Sequence, residues 1–376
     1  MAPPTDQPSL SPAIVTGGCG FIGSHIVDGI LELDPTCEIH VLDIKSANLV
    51  DGVKYHTVDI TDAAAIDSIF QTIKPKVIFH VATAPALSTH EPLLPRVILR
   101  GARNIFASAA KLGTVQALVY TSTSSVVHDN VSDLVDADET LPVLLHPRQK
   151  KAYTLFKAIA ETEILAANNR VENGGMLTVA LRPVSNFGPR DYTQMGKIVD
   201  NIRAGRGRYQ IGDGKNLYSF TYVANTVHAH LLAATALVRA YGRTPPRSGE
   251  DQNGESTRVD GQAFNITNDE DWPFWEYQRA VAASIGQPID PASIVVIPFW
   301  LAVSMAWLSE WIKWIVTLGR GKSDVTWEAM YYVAHHRTLT CEKAKSVLGY
   351  KPQVSMQEGL DIAGRWFVEL EGKKEK

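Results

Sequence analysis

The run Ala-Ile-Val-Thr-Gly-Gly-Cys-Gly-Phe-Ile-Gly, from Ala13 to Gly23, constrains this chain more than any other stretch. Ala13, Ile14 and Val15 are a short apolar run of the kind that forms a parallel strand buried on both faces. Gly17, Gly20 and Gly23 follow at G-x-x-G-x-x-G spacing. One glycine permits a tight turn, one lets backbone approach a phosphate, and one lets the next helix lie close on the strand. Residues 24–33 read as that helix, whose N-terminal N–H groups face an anion. Phe21 and Ile22 sit between the last two glycines and belong to the same cradle. A second apolar run, Ile39 to Leu42, ends in Asp43, 20 residues past Gly23. An acid there accepts both hydrogen bonds of an adenosine ribose and repels a 2′-phosphate, so NAD is favoured over NADP.

Strand-like runs at 54–58, 76–81 and 117–120 alternate with helical segments at 63–73 and from Pro92 or Pro95 to about 112. That alternation predicts an α/β fold, a doubly wound parallel sheet with helices on both faces. Residues 13–185 form the dinucleotide-binding domain in this reading, and 186–376 a smaller, discontinuous α+β substrate lobe. Strands at 218–223 and 263–267 return from it toward the first domain. Residues 1–12 read as a disordered tail without the basic and apolar regions of a signal peptide, and 243–261 as a polar surface insertion. Ligands in such sheets lie at the carboxyl ends of the strands, the edge that holds Asp43, Asp59, residues 80–83 and residues 121–125.

The helix predicted over 149–168 carries Tyr153 and Lys157, and the i, i+4 spacing puts phenol and ammonium on one face. A lysine near a tyrosine lowers the phenol's pKa and makes it a general base or acid near neutral pH. The hydroxyls of Thr121, Ser122, Thr123, Ser124 and Ser125 are placed to hold a substrate oxygen. A net charge of −4 and a pI near 6.3 argue against nucleic acid as a partner. Three scattered cysteines support neither a disulfide framework nor zinc, and suit a reducing compartment. His228 with His230, and His335 with His336, read as ordinary residues, and no metal site is expected.

Residues 299–318 stand apart: bulky, apolar, and carrying Trp300, Trp307, Trp311 and Trp314 along one helical stripe. Glu310 and Lys313 disfavour a membrane span. Two readings stay open, a helix packed over an apolar pocket and a helix lying in a membrane interface. Both suit an apolar, lipid-like substrate.

Taken together, TGGCGFIG, Asp43, Asp59, the hydroxyl cluster, Tyr153 with Lys157, and Arg182-Pro183 resemble the extended short-chain dehydrogenases/reductases. The segments 181–191, 212–234, 261–275 and 339–360 resemble its 3β-hydroxysteroid dehydrogenase/isomerase family, and within it the branch acting on 4α-carboxysterols. The resemblance implies Thr123, Tyr153 and Lys157 as catalytic residues. It implies Gly17, Gly20, Phe21, Ile22, Gly23, Asp43, Asp59, Ile60, Ala82, Tyr153, Lys157 and Pro183 as contacts of NAD. Thr123 stands where relatives often have serine, and Ile98 where many carry asparagine. The implied activity is oxidation of a 3β-hydroxyl on a sterol or related terpenoid, with loss of carbon dioxide where a 4α-carboxylate is present. Alternatives are the same oxidation without decarboxylation in secondary metabolism, a nucleotide-sugar epimerase or dehydratase, and a non-catalytic NAD-binding regulator. A cytoplasmic enzyme associated with the endoplasmic reticulum membrane or lipid droplets is expected, with homodimerisation implied by the family.

Overall fold

Seven parallel strands order the first lobe as 262–266, 177–183, 117–121, 77–80, 13–16, 39–43 and 54–57. The computed structural model describes residues 7–85, 92–169, 175–243, 258–318, 321 and 326–374. Ala13–Thr16 lies in the interior of the sheet, with Thr16 opposite Leu42 on one side and His80 on the other. The chain leaves this strand in one direction, to 39–43 and 54–57, and then crosses back to 77–80. That reversal opens a crevice beyond Thr16, between the loops that follow 13–16 and 77–80.

Each central strand sends alternate side chains to opposite faces, and both faces are covered. Val15, Val41, Phe79, Val119 and Val179 pack toward helices Phe21–Leu33 and Val223–Ala240. Ile14, Leu42, Ile78 and Leu118 pack toward Ala63–Ile73, Gly101–Leu112 and Ala152–Ala166. Burial on both faces is why these strands read as unbroken apolar runs.

The second lobe is threaded more deeply into the first than a division at 185 implies. Leu134–Ala137, from the first half, is the edge of a four-stranded sheet with Arg337–Leu339, Leu217–Ser219 and Asp271–Pro273. Conversely, Gln262–Ile266 pairs in parallel with Leu177–Pro183 and closes the main sheet. The stretch predicted as one strand at 218–223 breaks after Ser219, and Thr221–Tyr222 pairs with Asn186–Phe187. The N-terminal tail is shorter than predicted. Leu10 is buried in the main core, and the Pro12 carbonyl accepts from Lys76 N–H at 2.9 Å. Residues 1–6, and 244–257 of the polar insertion, lie outside the described residues.

Candidate active site

The glycine turn is a cradle fixed by its own backbone. Gly17 has φ +69°, and a Cβ there would stand 2.8 Å from Ala82 Cα, so both conformation and space require glycine. A Cβ on Gly23 would meet the Gly17 carbonyl oxygen at 2.2 Å, which is the close helix–strand contact its position predicts. Helix Phe21–Leu33 starts at exposed Gly20 with no side-chain cap, leaving its first N–H groups without a side-chain acceptor. Asp43 is held against this turn: Oδ2 accepts from Cys19 N–H at 3.0 Å and Oδ1 from Lys45 N–H at 3.1 Å. Farther along the edge, Asp59 accepts from Thr61 N–H at 2.9 Å, and buried Ile60 packs against Gly101. These residues fit a dinucleotide. The helix N-terminus suits a pyrophosphate, a side chain at Gly17 would intrude on the crevice, and the fixed carboxylate suits a ribose diol.

Sequence reasoning missed the support beneath this turn. Thr16 Oγ1 accepts from Val81 N–H and Ala82 N–H, each at 3.2 Å, so its single hydrogen goes to His80 Nδ1 at 2.7 Å. One hydroxyl thus ties together the two strand ends that frame the crevice. Burial pushes the His80 imidazole down to about 3, and it stays neutral, stacked on Tyr120 at 5.6 Å. A threonine just before the first glycine, with a histidine ending a neighbouring strand, was the only available signal.

Tyr153 and Lys157 lie on Ala152–Ala166, one turn apart as predicted. Lys157 Nζ donates to the Thr121 carbonyl at 2.9 Å and stands 4.8 Å from the centre of the Tyr120 ring. Burial lowers Lys157 to about 7, and the charge of Glu161 acts weakly in the opposite sense. The expected lowering of the Tyr153 phenol is not found. Burial raises it, opposed only by a hydrogen bond with Thr83. The physical reason is desolvation, since the phenol packs against the apolar core on this face of the sheet and burial penalises the phenolate.

The hydroxyl cluster sorts itself. Thr121 Oγ1 donates to His230 Nε2 at 2.8 Å, because His230 Nδ1 is turned to the Thr226 carbonyl at 2.7 Å. Ser122 donates to Glu161 at 2.5 Å, and Arg182 grips the same carboxylate at 2.5–3.1 Å. Residues 121, 122 and 124 are buried, whereas Thr123 and Ser125 are partly open. Thr123 Oγ1 donates to Ser125 Oγ and accepts from Ser125 N–H, both at 3.3 Å. Within 121–125, Thr123 and Ser125 are therefore the hydroxyls left partly open. Pro183 ends its strand, buried opposite Ile266. Ile98 is buried in the core cluster that Tyr153 also packs against, on the face of the sheet that carries the catalytic helix.

Phe299–Val316 is a helix, and among the described residues it roofs no enclosed pocket. Only Ala302 and Ala306 are buried, while Trp300, Trp307, Trp311 and Trp314 are 47–69% exposed. It packs against Trp327–Ala334 through Phe299 and Tyr331, 5.2 Å apart. No helix among the described residues is long and apolar enough to cross a membrane.

The family model described as 3-beta hydroxysteroid dehydrogenase/isomerase matches residues 14–297, through both the cradle and the catalytic helix. The chain belongs to the 3β-hydroxysteroid dehydrogenase/isomerase family. Membership makes it an oxidoreductase acting on CH–OH groups. It is 32% identical to the decarboxylating sterol-4-alpha-carboxylate 3-dehydrogenase of Saccharomyces cerevisiae, over 96% of this chain and 99% of that one. The enzyme of the same name from Mus musculus is 31% identical, over 96% and 92%. Among solved structures, UDP-glucose 4-epimerase from Thermotoga maritima superposes with a TM-score of 0.67 at 22% identity, over 95% of this chain and 99% of that one. This last likeness concerns the fold that the 3β-hydroxysteroid dehydrogenases share.

Proposed function

We propose that this enzyme oxidises the 3β-hydroxyl of a 4α-carboxysterol with NAD, and that the resulting β-keto acid loses carbon dioxide. What supports the reading is Lys157 held at the Thr121 carbonyl, two residues before partly open Thr123, with Tyr153 one turn away on the same helix and Asp43 fixed at the glycine turn in a place that suits NAD. NAD, when bound, supplies the hydride acceptor for C3. Thr123 Oγ1 holds the substrate oxygen, and Tyr153, as the phenolate that the positive nicotinamide of bound NAD would favour, takes its proton as the alcohol becomes a ketone. Lys157, near neutrality, exchanges that proton at low cost. In the β-keto acid the bond from C4 to the carboxyl carbon breaks, and its electron pair passes to the C3 oxygen as an enolate. The hydroxyls of Thr123 and Tyr153 stabilise that charge as an oxyanion hole would. No separate decarboxylating residue is needed.

Purified enzyme with NAD and 3β-hydroxysterols, with and without a 4α-carboxylate, tests this by mass spectrometry of the products. Ketone lacking the carboxyl group is expected from the acid. Absence of NADH formation with either sterol refutes the reading, as does near-normal turnover by Tyr153→Phe.

The apolar helix belongs to the same proposal. Trp300, Trp307, Leu308, Trp311, Ile315 and Val316 of this one helix are all exposed, and large apolar side chains gathered on one exposed element mark an interaction surface. Aromatic amphipathic side chains of this kind favour the boundary of a bilayer, so the helix lies in the interface of the endoplasmic reticulum membrane or a lipid droplet. Co-sedimentation with lipid vesicles that detergent reverses and salt does not is the expected result. Release by salt alone refutes an apolar seat.

A further inference from the structure

We infer that Arg337 recognises the C4 carboxylate of the substrate, an inference that rests on the function proposed above. Arg337 opens the strand Arg337–Leu339, which the second lobe lays beside Leu134–Ala137. It is 7% exposed. Nη2 donates to Ser125 Oγ at 2.7 Å, Nη1 reaches Asn130 Oδ1 at 3.4 Å, and the guanidinium lies 5.4 Å from the centre of the Tyr332 ring. Its polar side-chain partners are neutral. Among the described residues no carboxylate comes within ion-pair distance of it, whereas the other buried arginine beside the hydroxyl cluster, Arg182, is clamped by Glu161. Burying a charge without its counterion is costly, so a cation left this way beside the partly open Ser125 points to an anion that arrives with the ligand.

The placement matches that anion. Ser125 alone separates the guanidinium from Thr123, since its hydroxyl accepts from Arg337 at 2.7 Å and from Thr123 at 3.3 Å. In a 4-carboxysterol the carboxylate oxygens lie about one hydrogen-bond length, ~3 Å, from the C3 oxygen. A substrate whose C3 oxygen rests on Thr123 therefore brings its carboxylate to the Ser125 side, where the planar fork of an arginine can take both oxygens. Decarboxylation moves negative charge from the carboxylate to the C3 oxygen. A cation that held the carboxylate through the transition state would oppose this. Arg337 accordingly acts in binding and orientation, and its loss falls on KM more than on kcat.

Arg337→Met and Arg337→Lys, assayed by NADH formation on a 4α-carboxysterol and on the same sterol without the carboxylate, test the inference. Arg337→Met is expected to raise KM for the acid by about 30-fold, the effect of one charge-assisted pair. Its loss on the acid should exceed its loss on the plain sterol at least tenfold, and Arg337→Lys should recover part of the difference. Equal losses on both substrates would mean that Arg337 only holds the lobes together and overturn the inference, as would an unchanged KM for the acid. Turnover of the plain sterol reports whether each variant folds; if Arg337→Met does not, the Lys variant carries the comparison. If wild-type enzyme oxidises neither sterol, the proposed function falls instead. If it oxidises both without preferring the acid, the inference alone falls.

Discussion

Lys157→Met separates what the buried lysine does for catalysis from what it does to stability. Lys157 is 2% exposed, and burial lowers it from an ordinary 10.5 to about 7. Between these two values the unfolded chain holds a proton that the folded protein has released. Stability therefore rises with pH across that window, and falls as the pH drops toward 7. One proton is worth about 1.4 kcal/mol per pH unit, and with the folded group half-titrated at 7 the change from pH 7 to 9 comes to about 2 kcal/mol. Methionine keeps the length and apolar stem and removes the titration. Other groups contribute equally to both proteins, so the quantity to follow is the difference between them. Urea midpoints of wild type and Lys157→Met at pH 7, 8 and 9, with the m-value held common, give it directly. At pH 7 the variant should be at least as stable as wild type despite losing the bond to the Thr121 carbonyl. By pH 9 wild type should have gained about 2 kcal/mol on it, while the variant is inactive throughout. A difference that does not change with pH would refute the argument, because it would mean that Lys157 is fully charged in the folded protein.

Glu161→Gln should cost about 3–5 kcal/mol by leaving the Arg182 guanidinium buried without its anion, and Glu161→Gln/Arg182→Met should recover much of it; additive losses in chemical denaturation would contradict the pairing. Burial holds His80 near 3 and His128 and His230 near 4, so all three stay neutral while the unfolded chain takes up protons from about 6.5 downward. The urea midpoint should therefore fall steeply between pH 6.5 and 4, and a flat profile there would show that these histidines are not buried neutral. Gly17→Ala must place its Cβ against Ala82 at positive φ, and should weaken NAD binding by more than tenfold in a fluorescence titration; unchanged affinity would remove the turn from the cofactor site.

Local chemistry was legible in the sequence, and long-range chemistry was not. The strand, turn and helix of 13–33 could be read because glycine spacing and apolar runs act within a few residues. The Tyr153–Lys157 pair could be read because helix geometry alone puts residues four apart on one face. Which hydroxyl of 121–125 stays open could not, since it is decided by His230 and Glu161, 109 and 39 residues away. The direction of the Tyr153 shift was misjudged for a related reason. Proximity to a lysine follows from spacing, but desolvation depends on everything packed around the pair. Long-range pairing was hidden in the same way: nothing in Leu134–Ala137 announces that its partner strand begins at Arg337. The tryptophan stripe was plain in the sequence, yet which side of it faces solvent depends on the helix Trp327–Ala334 beyond it.

The charges buried around Thr123 show how one small region is built for a reaction in which charge moves. Three cations lie there, and each is accommodated differently. Arg182 is neutralised by Glu161 and locks Ser122 away from the cleft. Lys157 is shifted until its proton is nearly free to leave, which is what a partner to a proton-accepting tyrosine requires. Arg337 keeps its charge among neutral partners and faces the open hydroxyls from the other lobe. Only the first arrangement is self-sufficient. On the reading proposed above, the second is completed by a proton and the third by an anion, and an alcohol carrying a neighbouring carboxylate would deliver both. Before substrate arrives, the site is therefore less stable than packing alone would make it, and binding relieves that cost at the two atoms where chemistry occurs.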